Sequence, residues 1–500
     1  MRRLPRPPFD HARSVSIVLP SDPVGLEDDE RAVIQDLPAQ LASEASDLAR
    51  ELGAPVRFVD APPEEGPTWL IGPAANNPHL AALGRPAVDK PTHDLDRDRG
   101  LLITDAADVD GILASFSALR SLSRLERGPL VVDHAHTVEE AVARVLVEVH
   151  DTWPSFGLRG VDWTALSRRH VWSVLGATNP VVAMQRWLAE LGDFHTWVRP
   201  ARTHGVLPYG ACVVGGEVVL THVAEWTAAW SHGVRPGWRL VGEAVRETWA
   251  STPAAAHVKP LLVARRILSG SFGEVRDLEA RGPGARWARW SEAWEPPTGA
   301  PVDWERLPEG VGYLWIGAWV PGLGVEEAID EAFEAMADCP ALIVDLRGNG
   351  GGRLKMARAF RDRFLNEPRH LGWLRTSQPG GGLGAPESID GAPSDKPRWT
   401  KPVRFLTSPL TYSASEDAIL GLQGLEHVQV WGEPTGGGSG RLRRLKLLPG
   451  WRLTISSALT HERSGRCIEG AGLLPDRLIA PDRGHPDGSD WVLDAARASW

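Results

Sequence analysis

Ala341-Leu-Ile-Val-Asp345-Leu-Arg347-Gly-Asn-Gly350-Gly351-Gly352 decides the reading of this 500-residue chain. An unbroken apolar run of strand length ends in an acid and a base, then in glycines that open the next helix. Such a run predicts a strand buried on both faces. The glycines let backbone approach a ligand closely and turn free N–H groups into one spot. Two kinds of anion fit that geometry: a phosphate, or the oxyanion of an acyl-transfer intermediate. The G-x-G-x-x-G order is not met and no Gly-Lys-Ser/Thr follows, which weakens the phosphate reading.

Outward from this stretch, apolar runs alternate between strand and helix periods. Strands are expected at Gly312 to Val320, Ala341 to Leu346, Val403 to Leu406 and Val428 to Trp431. Helices are expected at Val325 to Ala337, Leu354 to Leu365 and Ser415 to Leu422. That alternation predicts a largely parallel sheet covered by helices. A Gly-, Pro- and Ser-rich interval from Thr376 to Thr400 reads as a loop, a candidate flap. A hairpin, Leu442 to Leu447 and Arg452 to Ile455, turns at Pro449-Gly450.

Upstream, Val138 to His150, Asp162 to Val174 and Pro180 to Leu191 carry helical spacing. Leu207-Pro-Tyr-Gly210, two short strands, and Gly233-Val-Arg-Pro-Gly-Trp238-Arg-Leu-Val-Gly242 together resemble a PDZ domain, with Trp238 where that turn usually has Asp. The resemblance implies a peptide site at Leu207, Tyr209 and Gly210. Apolar runs at Val15 to Leu19, Val56 to Val59, Trp69 to Ile71 and Leu101 to Thr104, with helical patterns at Asp28 to Leu52 and Val109 to Leu122, predict a small α/β unit. Its pattern resembles the domain that precedes the barrel of family 20 glycoside hydrolases. The expected architecture is multidomain α/β: 1–128 a small α/β accessory domain, 129–200 helical, 201–292 PDZ-like, and 293–500 a β-α core.

A formal net charge of −10 and the lack of a basic stripe argue against nucleic-acid or anionic-membrane partners. The one dense basic run is Arg441-Leu-Arg443-Arg444-Leu-Lys446, which alternates like one face of a strand. Three scattered cysteines, Cys212, Cys339 and Cys467, suggest neither a disulfide framework nor a metal cluster. The first residues show no apolar h-region, and no stretch approaches the roughly 18 apolar residues of a membrane span. The expectation is a cytoplasmic protein without metal or cofactor, with room for a homo-oligomer.

Thr411-Tyr-Ser413-Ala-Ser-Glu416 sits between a strand and a helix, and Ser-x-x-Glu by itself is also a capping box. With the glycine turn, Gly432-Glu-Pro-Thr-Gly436, and Glu469-Gly-Ala-Gly-Leu-Leu-Pro-Asp476, in this order, the chain resembles the tail-specific (carboxy-terminal processing) proteases. That resemblance implies a crotonase/Clp-protease-like β-α core and a nucleophile at Ser413. The best-known branch pairs the serine with a lysine at the position of Gly438, and none of the six lysines lies in that loop. A serine needs a base in reach, most often a neutral histidine. The tricorn-core-like branch takes one from Leu-x-Asp-x-His-Thr, which Leu191-Gly-Asp193-Phe-His195-Thr196 matches, and its carboxylate corresponds to Glu469. Phe194 stands where that branch has a serine, and His461 is a rival base. Oxyanion donors are expected from the N–H groups of Gly350, Gly351 and Ala414. The resemblance thus implies a serine peptidase acting on extended or C-terminal polypeptide segments. The alternatives are a non-catalytic binding protein of the same fold or a maturation enzyme dedicated to one partner.

Overall fold

The computed structural model describes residues 137–200, 204–271, 273–296, 299–378, 382–438, 440–479 and 490–500, together with five strands among the first 136. Those strands form one sheet in the spatial order Val56–Phe58, Val15–Val18, Thr68–Ile71, Leu101–Asp105, Thr92–Asp96. The first four run parallel, and the last, which sequence patterning did not mark, is antiparallel. The helices expected at 28–52 and 109–122 lie outside the described residues.

The helical region forms as its periodicity predicts: Val138–Thr152, Trp163–Leu175 and Pro180–Ala189. The Thr137 hydroxyl caps the first by accepting from the Glu140 N–H at 3.2 Å, and Asn179 caps the third. Their apolar faces close on Trp153, Trp163 and Trp187, with the last two rings stacked at 5.0 Å. Val198, Leu447, Leu453 and Ile455 join the same core. They belong to a three-stranded sheet that crosses domain boundaries: Leu442–Lys446 and Trp451–Ser456, the predicted hairpin, with Trp197–Pro200 added at its edge. Two segments more than 240 residues apart in sequence are thereby locked in one register.

Residues 204–296 form a five-stranded antiparallel sheet, ordered Trp287–Ala293, Val275–Arg281, Arg239–Val241, Glu217–Val223, Tyr209–Val214. Helices Glu243–Ala250 and Lys259–Ile267 accompany it, and Val263 and Ile267 enter its core.

The C-terminal core is built on a six-stranded sheet in the order Val302–Arg306, Gly312–Ile316, Leu342–Asp345, Val403–Thr407, Val428–Gly432, Arg477–Leu478. The first pair is antiparallel and the rest parallel. Every residue of Leu342–Asp345 is buried, as a parallel strand covered on both faces requires. One face packs Leu342, Val344, Phe360 and Phe405, and the other packs Ile343, Leu406 and Trp431 against the last helix, Trp491–Arg497. The interval from Thr376 to Thr400 is not one continuous loop. Arg369–Gln378 pairs with Glu387–Gly391 on one side and Ala458–Glu462 on the other, so its backbone groups are largely answered by neighbouring strands.

Candidate active site

The strand Val403–Thr407 leads into a turn that ends at Ser413, which has φ 60° and ψ −123°. With Ala285 it is one of two non-glycine residues at positive φ among the described residues. Such backbone costs on the order of 1–3 kcal/mol and persists only where its surroundings impose it. Here the imposing group is the fully buried carboxylate of Glu416. It accepts from the N–H groups of Ser413 (2.9 Å), Gly437 (2.9 Å) and Gly438 (2.8 Å), and from the Thr435 hydroxyl (2.5 Å). Burial pushes its pKa up to about 7 against the pull of those four donors. The Ser-x-x-Glu pattern is thus a helix-start device and a clamp on the serine at once.

The glycine turn presses on this elbow from the neighbouring strand. The Tyr412 N–H donates to the Asn349 carbonyl at 3.0 Å. A Cβ on Gly351 (φ 102°) would stand 2.8 Å from the Ser413 Cβ, so no side chain fits there. Of the expected oxyanion donors, Gly351 gives its N–H to the Asn349 side-chain oxygen at 3.0 Å. Gly350 and Ala414 keep N–H groups without an acceptor among the described residues. Asp345 and Arg347 lie at the base of the turn as an ion pair of 2.6 Å, with Arg347 also gripping Asp490 at 2.6 Å. They brace the turn rather than face the serine.

His195 is buried, and its turn is set by Asp193. That carboxylate accepts from the His195 N–H (2.9 Å), the Thr196 hydroxyl (2.6 Å) and the Trp153 indole (2.8 Å). Burial alone would raise the Asp193 pKa, but His195, Thr196 and Arg159 outweigh it and hold it low. The strand that follows, Trp197–Pro200, is the edge of the cross-domain sheet, and the Thr196 hydroxyl accepts from the Ser456 N–H at 3.1 Å. This pairing carries His195 to the elbow: its ring meets the Tyr412 ring edge to face, with centroids 4.9 Å apart. Phe194 touches the same ring from 5.8 Å and seats in an apolar seam of Ala254, Val258, Leu262 and Leu410.

Glu469 is buried and paired with Arg159 at 2.6 Å, while the other arm of Arg159 donates to the Gly192 carbonyl at 3.0 Å. The Gly470 N–H donates to Gly437 O at 2.7 Å, tying Glu469 to the loop that Glu416 holds. Tyr412 is the common neighbour. Burial, then Asp193, Glu469 and Glu416, raise its phenol pKa well above the ordinary value. Its ring also explains the missing lysine, since a Cβ at Gly438 would fall 1.8 Å from the Tyr412 Cζ. The rival His461 lies on Ala458–Glu462, opposite Trp373. Among the described residues no group of three or more His, Cys, Asp or Glu is placed to hold a metal ion.

Residues 310–479 match the model of peptidase family S41. The chain carries an S41 serine-peptidase domain. No curated protein matches the chain. Among solved structures, mature CPAF complexed with lactacystin superposes with a TM-score of 0.53 at 13% identity, covering 68% of this chain and 94% of that one. The photosystem II D1 C-terminal processing protease gives 0.46 at 19%, covering 73% and 97%. The tricorn protease gives 0.38 at 16%, covering 82% and 41%. At these identities the CPAF likeness speaks for the fold of the S41 domain with the regions before it.

The expected peptide loop, Leu207, Tyr209 and Gly210, lies in the domain before the S41 domain, with its side chains turned inward. Leu207 and Tyr209 are core residues, and the Tyr209 hydroxyl contacts Glu292 and accepts from the Trp290 indole at 3.0 Å. Gly210 lies at a register shift, where a Cβ would meet the Thr221 hydroxyl at 2.6 Å. Their side chains are spent on folding. What does reach the S41 domain is Arg265, donating to the Gly348 carbonyl at 3.0 Å, and His257, 3.2 Å from the Thr435 carbonyl. Sequence reasoning missed Arg159 and Tyr412, although Tyr412 lies within the stretch quoted around Ser413.

Among the described residues no helix is long and apolar enough to cross a membrane.

Proposed function

We propose that this chain hydrolyses peptide bonds of extended or C-terminal polypeptide segments through an acyl-enzyme at Ser413, with His195 as general base and Glu469 orienting it. The observation that carries this reading is the packing of His195 on Tyr412, directly beside the strained Ser413 elbow. The Ser413 Oγ attacks the scissile carbonyl carbon while its proton passes to His195, which then protonates the departing amine. Water resolves the resulting ester by the reverse proton path. The N–H groups of Gly350 and Ala414 stabilise the oxyanion, each such donor being worth about 2.7–4 kcal/mol of barrier. Arg159 pairs with Glu469 inside the fold, and a carboxylate there favours the imidazolium formed during attack.

The test is hydrolysis of quenched peptides, with labelling by a fluorophosphonate. The wild-type chain is labelled at Ser413 and cleaves, whereas Ser413→Ala does neither. Cleavage that survives Ser413→Ala overturns the assignment, and an unreactive Ser413 favours a non-catalytic binding protein.

A further inference from the structure

The basic run singled out in the sequence, Arg441 to Lys446, has no part in the chemistry above. Its strand, Leu442–Lys446, lies in the cross-domain sheet, where Lys446 stands opposite Arg452 and Arg452 opposite Arg199. Residues directly opposite in antiparallel strands share a face with Cβ atoms about 4.5–5.5 Å apart, and like charges so placed repel. Three cations therefore form one row across three strands. The next row on that face is Arg444, Thr454 and Trp197. Arg444, Lys446 and Arg452 are exposed, and the Arg199 guanidinium lies over the Trp197 ring at 4.3 Å.

The domain at 204–296 adds more positive charge. Arg266, whose Nη1 donates to the Ser251 carbonyl (2.7 Å) and the Thr252 hydroxyl (2.8 Å), feels the charges of Arg199 and Arg276. Burial, with that repulsion, pushes the Arg266 pKa down to about 9, and burial pushes Arg199 to about 10. Lys259 is close enough to feel Arg266. Among the described residues, the acids that act on this group are Glu247, on Arg276, and Glu190, on Lys259. Glu247 is already bridged to Arg186 at 3.3 Å, and Glu190 to Arg169 at 2.9 Å. Among the described residues, Arg199, Arg266, Arg276, Lys259, Arg444, Lys446 and Arg452 make no salt bridge. The contrast within one strand is direct: Arg443, on the opposite face, pairs with Glu148 at 3.0 Å. In a chain of net charge −10, a face whose cations meet no acid among the described residues is a distinctive feature.

We propose that this basic sheet face binds the carboxylates of an acidic peptide segment and leads it to Ser413. The occupant is peptide rather than nucleic acid because the strand that bears Arg452 continues, through the buried Thr454 and Ser456, to the candidate active site. Four residues along the strand from Arg452, about 13 Å, the Ser456 N–H meets the Thr196 hydroxyl beside His195. An extended substrate that passes around the buried Thr454 and Ser456 needs at least about four residues to cover that distance, which places the acidic side chains four or more residues from the scissile bond. The inference rests on the peptidase reading above and narrows its substrate class.

The experiment compares two quenched decapeptides that differ only in three Glu or three Gln residues at one end, in both orientations. In about 10 mM salt, one orientation of the Glu peptide has a kcat/KM roughly tenfold above its Gln twin, the worth of one charge-assisted hydrogen bond. The ratio falls toward one at about 0.15 M, where the screening length contracts to about 8 Å. Arg452→Gln with Lys446→Gln brings the ratio close to one, whereas Arg246→Gln with Arg281→Gln, which removes two charges elsewhere, leaves it unchanged. A wild-type ratio near one, or a ratio that survives the first pair, overturns the proposal. If neither peptide is cleaved, the peptidase reading fails by itself, and fluorescence anisotropy of the same peptides still decides whether the face prefers Glu. A single-stranded oligonucleotide that binds more tightly than the Glu peptide, and loses this on Arg452→Gln with Lys446→Gln, assigns the face to nucleic acid and also overturns the proposal.

Discussion

Two charged regions lie within a few residues of His195 and are built in opposite ways. At the elbow, acids are answered: Glu416 by four donors, Asp193 by three, and Glu469 by Arg159. On the cross-domain sheet, Arg199, Arg452 and Lys446 stand in one row with no acid beside them among the described residues. A buried carboxylate with donors on all sides cannot rearrange cheaply, so the elbow keeps its strain and its aim. Lys446 and Arg452, exposed beside the half-buried Arg199, gain by meeting an anion that arrives from outside. On the proposed reading, the first arrangement serves chemistry and the second recognition.

Changes at the elbow have the largest effects. Ser413→Ala or His195→Ala lowers kcat by roughly ten thousand- to a million-fold, without altering the unfolding midpoint by much, as read by single-turnover peptide hydrolysis. Arg159→Met leaves Glu469 buried without its cation and costs about 3–5 kcal/mol in urea unfolding, because removal of one partner strands the other charge.

Glu416 ties stability to pH. Its folded pKa, about 7, lies above its ordinary value of 4.5, so the folded state holds the proton more tightly than the unfolded chain does. The contribution is therefore full below pH 4.5, declines as pH rises through 7 and is level above, about 3 kcal/mol in all. Urea midpoints measured from pH 4.5 to 8 show this fall, and Glu416→Gln removes it. Gly438→Ala forces a methyl group into the Tyr412 ring and costs about 1–3 kcal/mol or more; Gly438→Lys likewise fails to restore activity to His195→Ala.

The basic sheet gives the smallest effect and the opposite sign. Arg452→Gln relieves like-charge repulsion and raises stability by about 0.2–1 kcal/mol at low salt, fading at high salt. A loss of stability there would show that the row is compensated and would dissolve the contrast with the elbow.

Much of this was legible in the residues. The run Ala341 to Gly352 was readable as a buried strand and a glycine turn because both signals are local: apolar length and backbone freedom. Ser413 stood out through its neighbours, and the hairpin turned where Pro449-Gly450 said it would. The flap reading of 376–400 failed because Gly and Pro content reports loop chemistry, not whether distant strands such as Ala458–Glu462 will pair with the segment. That Leu207 and Tyr209 bury their side chains in the core of their own domain could not be read from a tetrapeptide.

The sequence by itself determined the main strands and helices of the core, the candidate serine, and the absence of a lysine at position 438. These depend on side-chain type and near-neighbour spacing. Only the tertiary structure decided what stands around them. It put Tyr412 in the space a lysine would need, Arg159 on Glu469, and the Gly351 N–H on Asn349 instead of an oxyanion. It also brought His195 to the elbow by pairing Trp197–Pro200 with a strand more than 240 residues away, and by that register aligned three cations from separate segments. Each of these is a long-range contact whose partner leaves no mark in the local pattern.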